Sequence, residues 1–205
     1  MQPAEHWHRI LSREVPEKSS WFLAQPRMSL ELIKKYTRNP RHDSLVDAGG
    51  GASTLAEGLL KSGYAKVTIV DWAPACLDWT YRRLGAAAER YQWVCADVTS
   101  AALGGPHALW HDRGCLHFMT QPGQHQSYAN AVRRGLIVGG HVIVGVYTRG
   151  APSRASGLPV MQFSHAAIAQ AFGPAFKLVE TQHEQTQTPN GRVEPYLFAV
   201  LQRMR

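Results

Sequence analysis

Ser44-Leu45-Val46-Asp47-Ala48-Gly49-Gly50-Gly51 decides how the rest of the chain is read. An apolar run ends in an acid, and three glycines then open a helix expected from Ser53 to Leu60. A strand ending this way points its last residues out of the carboxyl edge of a parallel sheet, where α/β proteins bind ligands. Glycines at that turn let the backbone bend sharply and let a ligand approach without meeting a Cβ. Two ligand classes compete. In the dinucleotide pattern G-x-G-x-x-G/A, the third small residue packs helix on strand. Counted from Gly49, that place falls on Thr54, a poor fit. A carboxylate at Asp47 also repels a pyrophosphate but suits a ligand carrying an ammonium group.

Asp47-x-Gly49-x-Gly51 resembles the first motif of the class I, seven-strand S-adenosylmethionine-dependent methyltransferases. In that family the loop lies against the amino-acid end of the cofactor, and the acid helps hold its amino group. The family's third glycine is Ser53 here. The plain alternative is an ordinary strand-to-helix turn.

Lys66-Val67-Thr68-Ile69-Val70 is a second β-branched run, bounded by Gly63 and ending in Asp71. Asp71 stands about 20 residues beyond the glycine loop, the spacing at which an acid reaches ribose hydroxyls. Trp72 follows and is placed to lie against adenine, and Pro74 starts a helix through Leu84 that Gly85 stops. This spacing suits dehydrogenases as well as methyltransferases. A third strand, Tyr91 to Val98, carries Asp97 at its end. The resemblance assigns Asp97 to the adenine amino group, with Val98 beside it; the structural alternative is a cap for the turn from Thr99. Three acids on three successive strand ends after one glycine loop signal more than any one of them.

Ala108 to Phe118 runs from a fourth strand into its loop. In a sheet ordered 3-2-1-4-5 the direction of winding reverses between strands one and four, and ligands sit at that switch. Trp110-His111-Asp112-Arg113, then Cys115-Leu116-His117-Phe118, Gln121-Pro122-Gly123 and Gly139-Gly140-His141-Val142-Ile143-Val144-Gly145, resemble a compact group within the class I family. Val138 stands where that group usually has proline before the paired glycines. The resemblance covers residues 44–148. It implies an α/β fold: a doubly wound, mostly parallel seven-stranded sheet of order 3-2-1-4-5-7-6, helices on both faces, and a C-terminal antiparallel hairpin. Phe176 to Thr188 and Val193 to Arg203 supply that hairpin around Pro189-Asn190-Gly191, an independent turn signal. Ser164 caps a helix to Phe172, ended by Gly173-Pro174.

A chain of 205 residues suits one domain: residues 1–43 as a helical lid or cap, 44–205 as the seven-strand core. Trp7, Ile10 and Leu11 have helical spacing, Pro16 interrupts, and Ser29 to Arg38 forms a second helix that Asn39-Pro40 ends. Trp21 and Phe22 suit a lid over the cofactor, and an extra helix packed on the sheet explains the segment equally. Three cysteines (Cys76, Cys95, Cys115) without CxxC spacing point to free thiols and a cytoplasmic setting. No long apolar run suggests a membrane span, and no basic-then-apolar leader suggests export. The charge of +7 carries no dense basic tract, so Lys34-Lys35, Arg82-Arg83 and Arg133-Arg134 read as solvated helix faces and nucleic acid is not expected.

The chemistry expected is methyl transfer from S-adenosylmethionine, with S-adenosylhomocysteine as product. The candidate cofactor residues are Asp47, Gly49, Gly51, Asp71, Trp72, Asp97, Val98, Trp21 and Asp112. If a base is used, His117 or His111 provides it, because imidazole titrates near neutrality; Tyr147 lines the acceptor pocket. Asp112 also has the option of orienting a histidine or pairing with Arg113. His111-x3-Cys115-x-His117 matches no common zinc site, so no metal is expected, and His107 and His141 are placed at strand starts. A small thiol, amine or acid is the expected acceptor, and a protein lysine its rival. No Asn-Pro-Pro-Tyr tetrad follows strand four, which counts against methylation of DNA bases. A binding module without transfer, its cavity filled by Phe118 and Leu158, and a nicotinamide oxidoreductase are the other classes; a monomer or homodimer suits any of them.

Overall fold

The computed structural model describes residues 3–189 and 191–205. Among the described residues there are six α-helices: α1 (Pro3–Leu11), α2 (Arg27–Tyr36), α3 (Leu55–Lys61), α4 (Pro74–Leu84), α5 (Gln124–Gly135) and α6 (His165–Phe172). The strands are β1 (Ser44–Ala48), β2 (Lys66–Asp71), β3 (Gln92–Cys95), β4 (His107–Arg113), β5 (Leu136–Tyr147), β8 (Phe176–Gln187) and β9 (Val193–Arg203). A separate two-strand ribbon, β6 (Arg154–Ala155) and β7 (Leu158–Pro159), takes the numbers between. The main sheet runs β3-β2-β1-β4-β5-β9-β8, parallel from β3 to β5 and antiparallel in β9 and β8. This is the order expected from sequence.

Burial on both faces explains why the central strands read as continuous apolar runs. Alternation then sorts their side chains. Val46, Ala48, Trp110, Val142 and Val144 join Tyr128 and Val132 of α5 and Ile168 and Phe172 of α6. Leu45, Ile69, Leu109, Ile143 and Phe198 join Leu32 and Ile33 of α2 and Leu55 and Leu59 of α3. The two-residue period therefore sends Asp47, His111, Arg113, Tyr147 and Tyr196 to the α2 face and Asp112 to the α5 face. Parallel register seats Asp47 directly beside His111 and Ala48 beside Asp112.

Local chemistry sets the ends. Pro74 begins α4, and Gly85, at φ +56, closes it. The Ser164 hydroxyl caps α6 by accepting the Ala167 amide at 3.2 Å. The second helix starts two residues earlier than its apolar stripe suggested, directly after Pro26, and ends at Tyr36. β3 stops at Cys95 rather than reaching Asp97 and Val98, because the Asp97 carboxylate accepts the Thr99 amide and hydroxyl and turns the chain. Gly139-Gly140 lie within β5 rather than before it. The strand pairs Leu136 with His107, then slips so that His141 faces Leu109, leaving Ile137 and Val138 exposed. His107 begins β4 as expected, whereas His141 sits inside β5 against the Tyr36 ring. Of the hairpin turn, Asn190 lies outside the described residues; Arg192 closes it with Thr188. The three cysteines are free, and no described helix is long and apolar enough to cross a membrane.

α2 is held by Leu32 and Ile33, both within 2% of complete burial. Ile33→Ala leaves a cavity between α2 and the sheet, and its expected cost is about 2–5 kcal/mol. A urea titration checks this: the midpoint falls while the slope stays that of the parent protein.

Candidate functional site

A cavity of about 620 Å³ lies at the carboxyl ends of the central strands, a size within the ~300–1,000 Å³ of small-molecule sites. Asp47, Asp71 and Asp97 all border it. So do Gly49, Trp72, Val98, Trp21, His111, His117 and Tyr147. Two expected cofactor residues, Gly51 and Asp112, are not part of its wall.

The glycine loop is shaped by the acids it packs on. A Cβ on Gly50 would stand 2.3 Å from Asp47 Oδ2, and one on Gly51 would stand 2.4 Å from Asp71 Oδ2 and 2.6 Å from the Cys76 Cβ. Gly51 thus makes room for the Asp71 carboxylate and lies outside the cavity wall. That is a correction to the sequence expectation, which counted glycines without knowing which way each faced.

The three acids differ in what they leave open. Asp47 is buried, its Oδ1 accepting His111 Nδ1–H at 2.8 Å while Oδ2 has no partner among the described residues. Asp71 Oδ1 accepts the Ala73 amide at 2.9 Å, and burial lifts its pKa to about 6. Asp97 is exposed and spends Oδ1 on Thr99. Asp47 Oδ2 is enclosed by the glycine loop at Gly50, and a buried carboxylate oxygen without a donor is costly.

His111 is not free for chemistry. Asp47 takes its Nδ1, and Ser29 Oγ lies 2.9 Å from Nε2, so both ring nitrogens are engaged. His117 is likewise buried, and its Nδ1 accepts the Tyr147 amide at 3.2 Å. A neutral imidazole that accepts at Nδ1 carries its proton at Nε2. Burial, and secondarily the Arg113 charge, lower the His117 pKa to about 3, so the ring is neutral and offers a donor rather than a lone pair. Tyr147 donates its hydroxyl to the buried Glu194 carboxylate, and burial raises its pKa. None of the three expected catalytic residues presents a base to the cavity. Sequence reasoning saw titratable side chains in the right loops but not the partners that occupy them.

Asp112 corrects the expectation most plainly. It is completely buried on the α5 face, where Oδ1 accepts the Cys115 amide at 2.8 Å and Oδ2 accepts the Leu116 amide at 3.0 Å and the Tyr128 hydroxyl at 2.6 Å. Its role is to hold the turn that carries His117. Burial raises its pKa to about 6.

Residues absent from the sequence-based set complete the wall. Arg113 lays its guanidinium 4.4 Å from the Tyr196 ring centre and donates to the Trp21 carbonyl at 3.0 Å. Trp7 meets Phe118 edge-on at 5.4 Å and Trp21 at 6.4 Å, forming an aromatic roof. α1 is tied down at both sides, by Trp79 Nε1–H to the Leu11 carbonyl at 2.8 Å and by His6 Nε2–H to the Ser156 carbonyl at 2.7 Å. Arg113 sat inside the quoted signature and could have been singled out. Ser29, Tyr196 and Glu194 have no local signal, since only the sheet order brings them here. Among the described residues no group of three or more His, Cys, Asp and Glu is placed to hold a metal.

No protein-family model matches the chain, and no curated protein sequence matches it. Solved structures do. A SAM-dependent methyltransferase from Anabaena variabilis superposes with a TM-score of 0.77 at 14% identity, over 99% of this chain and 96% of its own. The N-methyltransferase NodS from Bradyrhizobium japonicum, in complex with S-adenosylhomocysteine, gives 0.72 at 17% identity over 97% and 98%. The 1,6-didemethyltoxoflavin-N1-methyltransferase from Burkholderia thailandensis, with 1,6-didemethyltoxoflavin and S-adenosylhomocysteine bound, gives 0.70 at 19% identity over 100% and 92%. The shared fold is the seven-strand methyltransferase architecture.

Two outcomes follow from the geometry. Asp112→Asn keeps the side chain's shape but weakens its three hydrogen bonds, with an expected loss of about 1–3 kcal/mol in a urea titration. Binding of S-adenosylhomocysteine by the folded variant stays within about twofold of the parent, a small fraction of the ~1.4 kcal/mol that a tenfold change represents. For His117, the unfolded chain binds a proton between the ordinary pKa of 6.5 and about 3, while the native ring does not. Its contribution is therefore full above 6.5 and is lost as pH falls toward 3. Asp71 and Asp112, raised to about 6, act in the opposite sense below that pH. Compared with the parent, His117→Gln shows a smaller drop in denaturation midpoint between pH 7 and pH 5.

Proposed function

We propose that the protein is an S-adenosylmethionine-dependent methyltransferase acting on a small molecule. The observation that carries this reading is the meeting of Asp47, Asp71 and Asp97, from three neighbouring strand ends, around one cavity. A cofactor with an ammonium, a ribose diol and an adenine amino group offers donors to all three acids. Asp47 would receive the ammonium, Asp71 the ribose hydroxyls and Asp97 the adenine amine, with Trp72 and Val98 flanking the base. A pyrophosphate in that place would meet uncompensated negative charge, which disfavours a nicotinamide dinucleotide.

When bound, S-adenosylmethionine supplies a methyl group already activated on a sulfonium. The chain's own residues then have three tasks. They bind the cofactor through the acids, they orient the acceptor with donors on the β4 and β5 side, and they exclude water beneath Trp7, Trp21 and Phe118. Positioning alone can contribute ~7–11 kcal/mol, so the occupied state of His111, His117 and Tyr147 is no obstacle for an acceptor that is nucleophilic without losing a proton first. The ties of α1 to α4 and to Ser156 support a small acceptor, because the chain itself roofs the cavity that a lysine on a folded protein would have to reach.

Isothermal titration with S-adenosylhomocysteine and with NAD tests the reading. The expected result is saturable binding of the first alone, weakened at least about tenfold by Asp47→Asn, a loss of ~1.4 kcal/mol or more. Binding of NAD with none of S-adenosylhomocysteine would overturn it.

A further inference from the structure

The cavity wall has one cationic side chain, and it makes no direct ion pair among the described residues; its nearest link to a carboxylate runs through Thr186 to Glu184. Arg113 is the only lysine or arginine in the wall, and no carboxylate lies within ion-pair distance of it among the described residues. Its two terminal nitrogens donate to neutral oxygens, the Trp21 carbonyl at 3.0 Å and Thr186 Oγ1 at 3.5 Å. Its Nε is buried and has no partner, and so is the Trp21 indole nitrogen. His117 adds a third donor: its Nδ1 is taken by the Tyr147 amide, which leaves the proton on Nε2. Arg113, Trp21 and His117 thus border the same cavity. His117 Nε2–H has no acceptor among the described residues, and each terminal nitrogen of Arg113, which carries two N–H groups, keeps one beyond its protein contact.

The sheet order sets Arg113 to one side of the cofactor acids, next to Asp47 and away from Asp71 and Asp97. Asp47 lies near the end of β1, Asp71 ends β2 and the Asp97 turn follows β3, whereas Arg113 ends β4 and reaches toward Tyr196 on β9. Two strand spacings, roughly 10 Å, lie between β4 and β9. We infer that the small-molecule acceptor carries an anionic group, in its simplest form a carboxylate, received by Arg113 with His117. The inference rests on the methyltransferase reading above. A guanidinium stacked on an aromatic ring and held at its ends is pre-organised for a planar carboxylate. Phe118, Leu158 and Pro159 in the same wall suit an apolar body behind that group.

The test uses benzoate and its neutral isostere benzamide, titrated into the full chain saturated with S-adenosylhomocysteine. Benzoate is expected to bind at least about tenfold more tightly, equivalent to ~1.4 kcal/mol. Arg113→Gln abolishes that preference while S-adenosylhomocysteine affinity stays within about twofold, and Arg113→Lys, which keeps the charge without the fork, retains part of the preference. Equal binding of the two probes, binding of neither, or a preference that survives Arg113→Gln overturns the inference. So does a tenfold loss of S-adenosylhomocysteine affinity in that variant, because the charge then serves the cofactor's own carboxylate. Should either variant fail to fold, the benzoate-to-benzamide ratio on the parent decides by itself. Failure of the parent to bind S-adenosylhomocysteine strikes the methyltransferase reading instead, and the two probes are then compared on the free protein by the same criteria.

Discussion

The buried chain Asp47–His111–Ser29 is the interaction on which the site depends. It joins three elements far apart in the sequence: the end of β1, the body of β4 and the first turn of α2. A carboxylate taken out of water is unfavourable unless paired, and removing one partner of a buried pair leaves a charge that costs several kcal/mol. The register that seats Asp47 beside His111 is therefore fixed by electrostatics as well as by the apolar pattern. Ser29 then carries the constraint to α2, whose Leu32 and Ile33 cover the same face of the sheet. The N-terminal segment is fastened at the site from below by this hydrogen bond and from above by the aromatic contacts of Trp7 and Trp21.

With that frame in place, the cavity divides by charge. Carboxylates stand at or just beyond the ends of β1, β2 and β3, and the one guanidinium ends β4 and points across the sheet to β9. Low-dielectric walls sharpen such a division where the charge is buried, as at Asp47, and less so at the exposed Asp97. The turn at Cys115 to Phe118 sits on the boundary. Asp112 holds it from the opposite face through two backbone amides and Tyr128, so an acid that never touches the cavity decides where His117 points. Reactive groups there have been turned into fixed donors: the Tyr147 amide occupies one nitrogen of His117, and Glu194 occupies the Tyr147 hydroxyl. A site of this kind aligns and desolvates its reactants; it has little means to take a proton from them.

The legibility of these features follows from their range. Asp47, Asp71 and Asp97 were visible because each closes a local apolar run, and the glycine loop dates the first of them in the order of the fold. Gly51 was visible as a glycine but not as a neighbour of Asp71, since the contact joins the ends of two strands. His111 and Asp112 were both marked by their signature, yet adjacent strand residues face opposite sides. That alternation alone could have removed Asp112 from the pocket had the strand's extent been certain. Thr99, in contrast, ends β3 early through a hydrogen bond that a propensity pattern does not reveal.

What the amino-acid order determined by itself is the architecture. Apolar runs of strand length, helical stripes between them, acids at strand ends and an antiparallel pair at the close all arise from neighbours within about a dozen residues, where periodicity and turn chemistry act. What only the tertiary structure decided is the state of each functional group. The tautomer of His117, the lone oxygen of Asp47, the unpaired Arg113 and the roof of Trp7 and Trp21 depend on partners up to about a hundred residues away. Solvation and hydrogen bonding at a buried atom are set by everything that surrounds it, and no stretch of sequence carries that shell along with the residue.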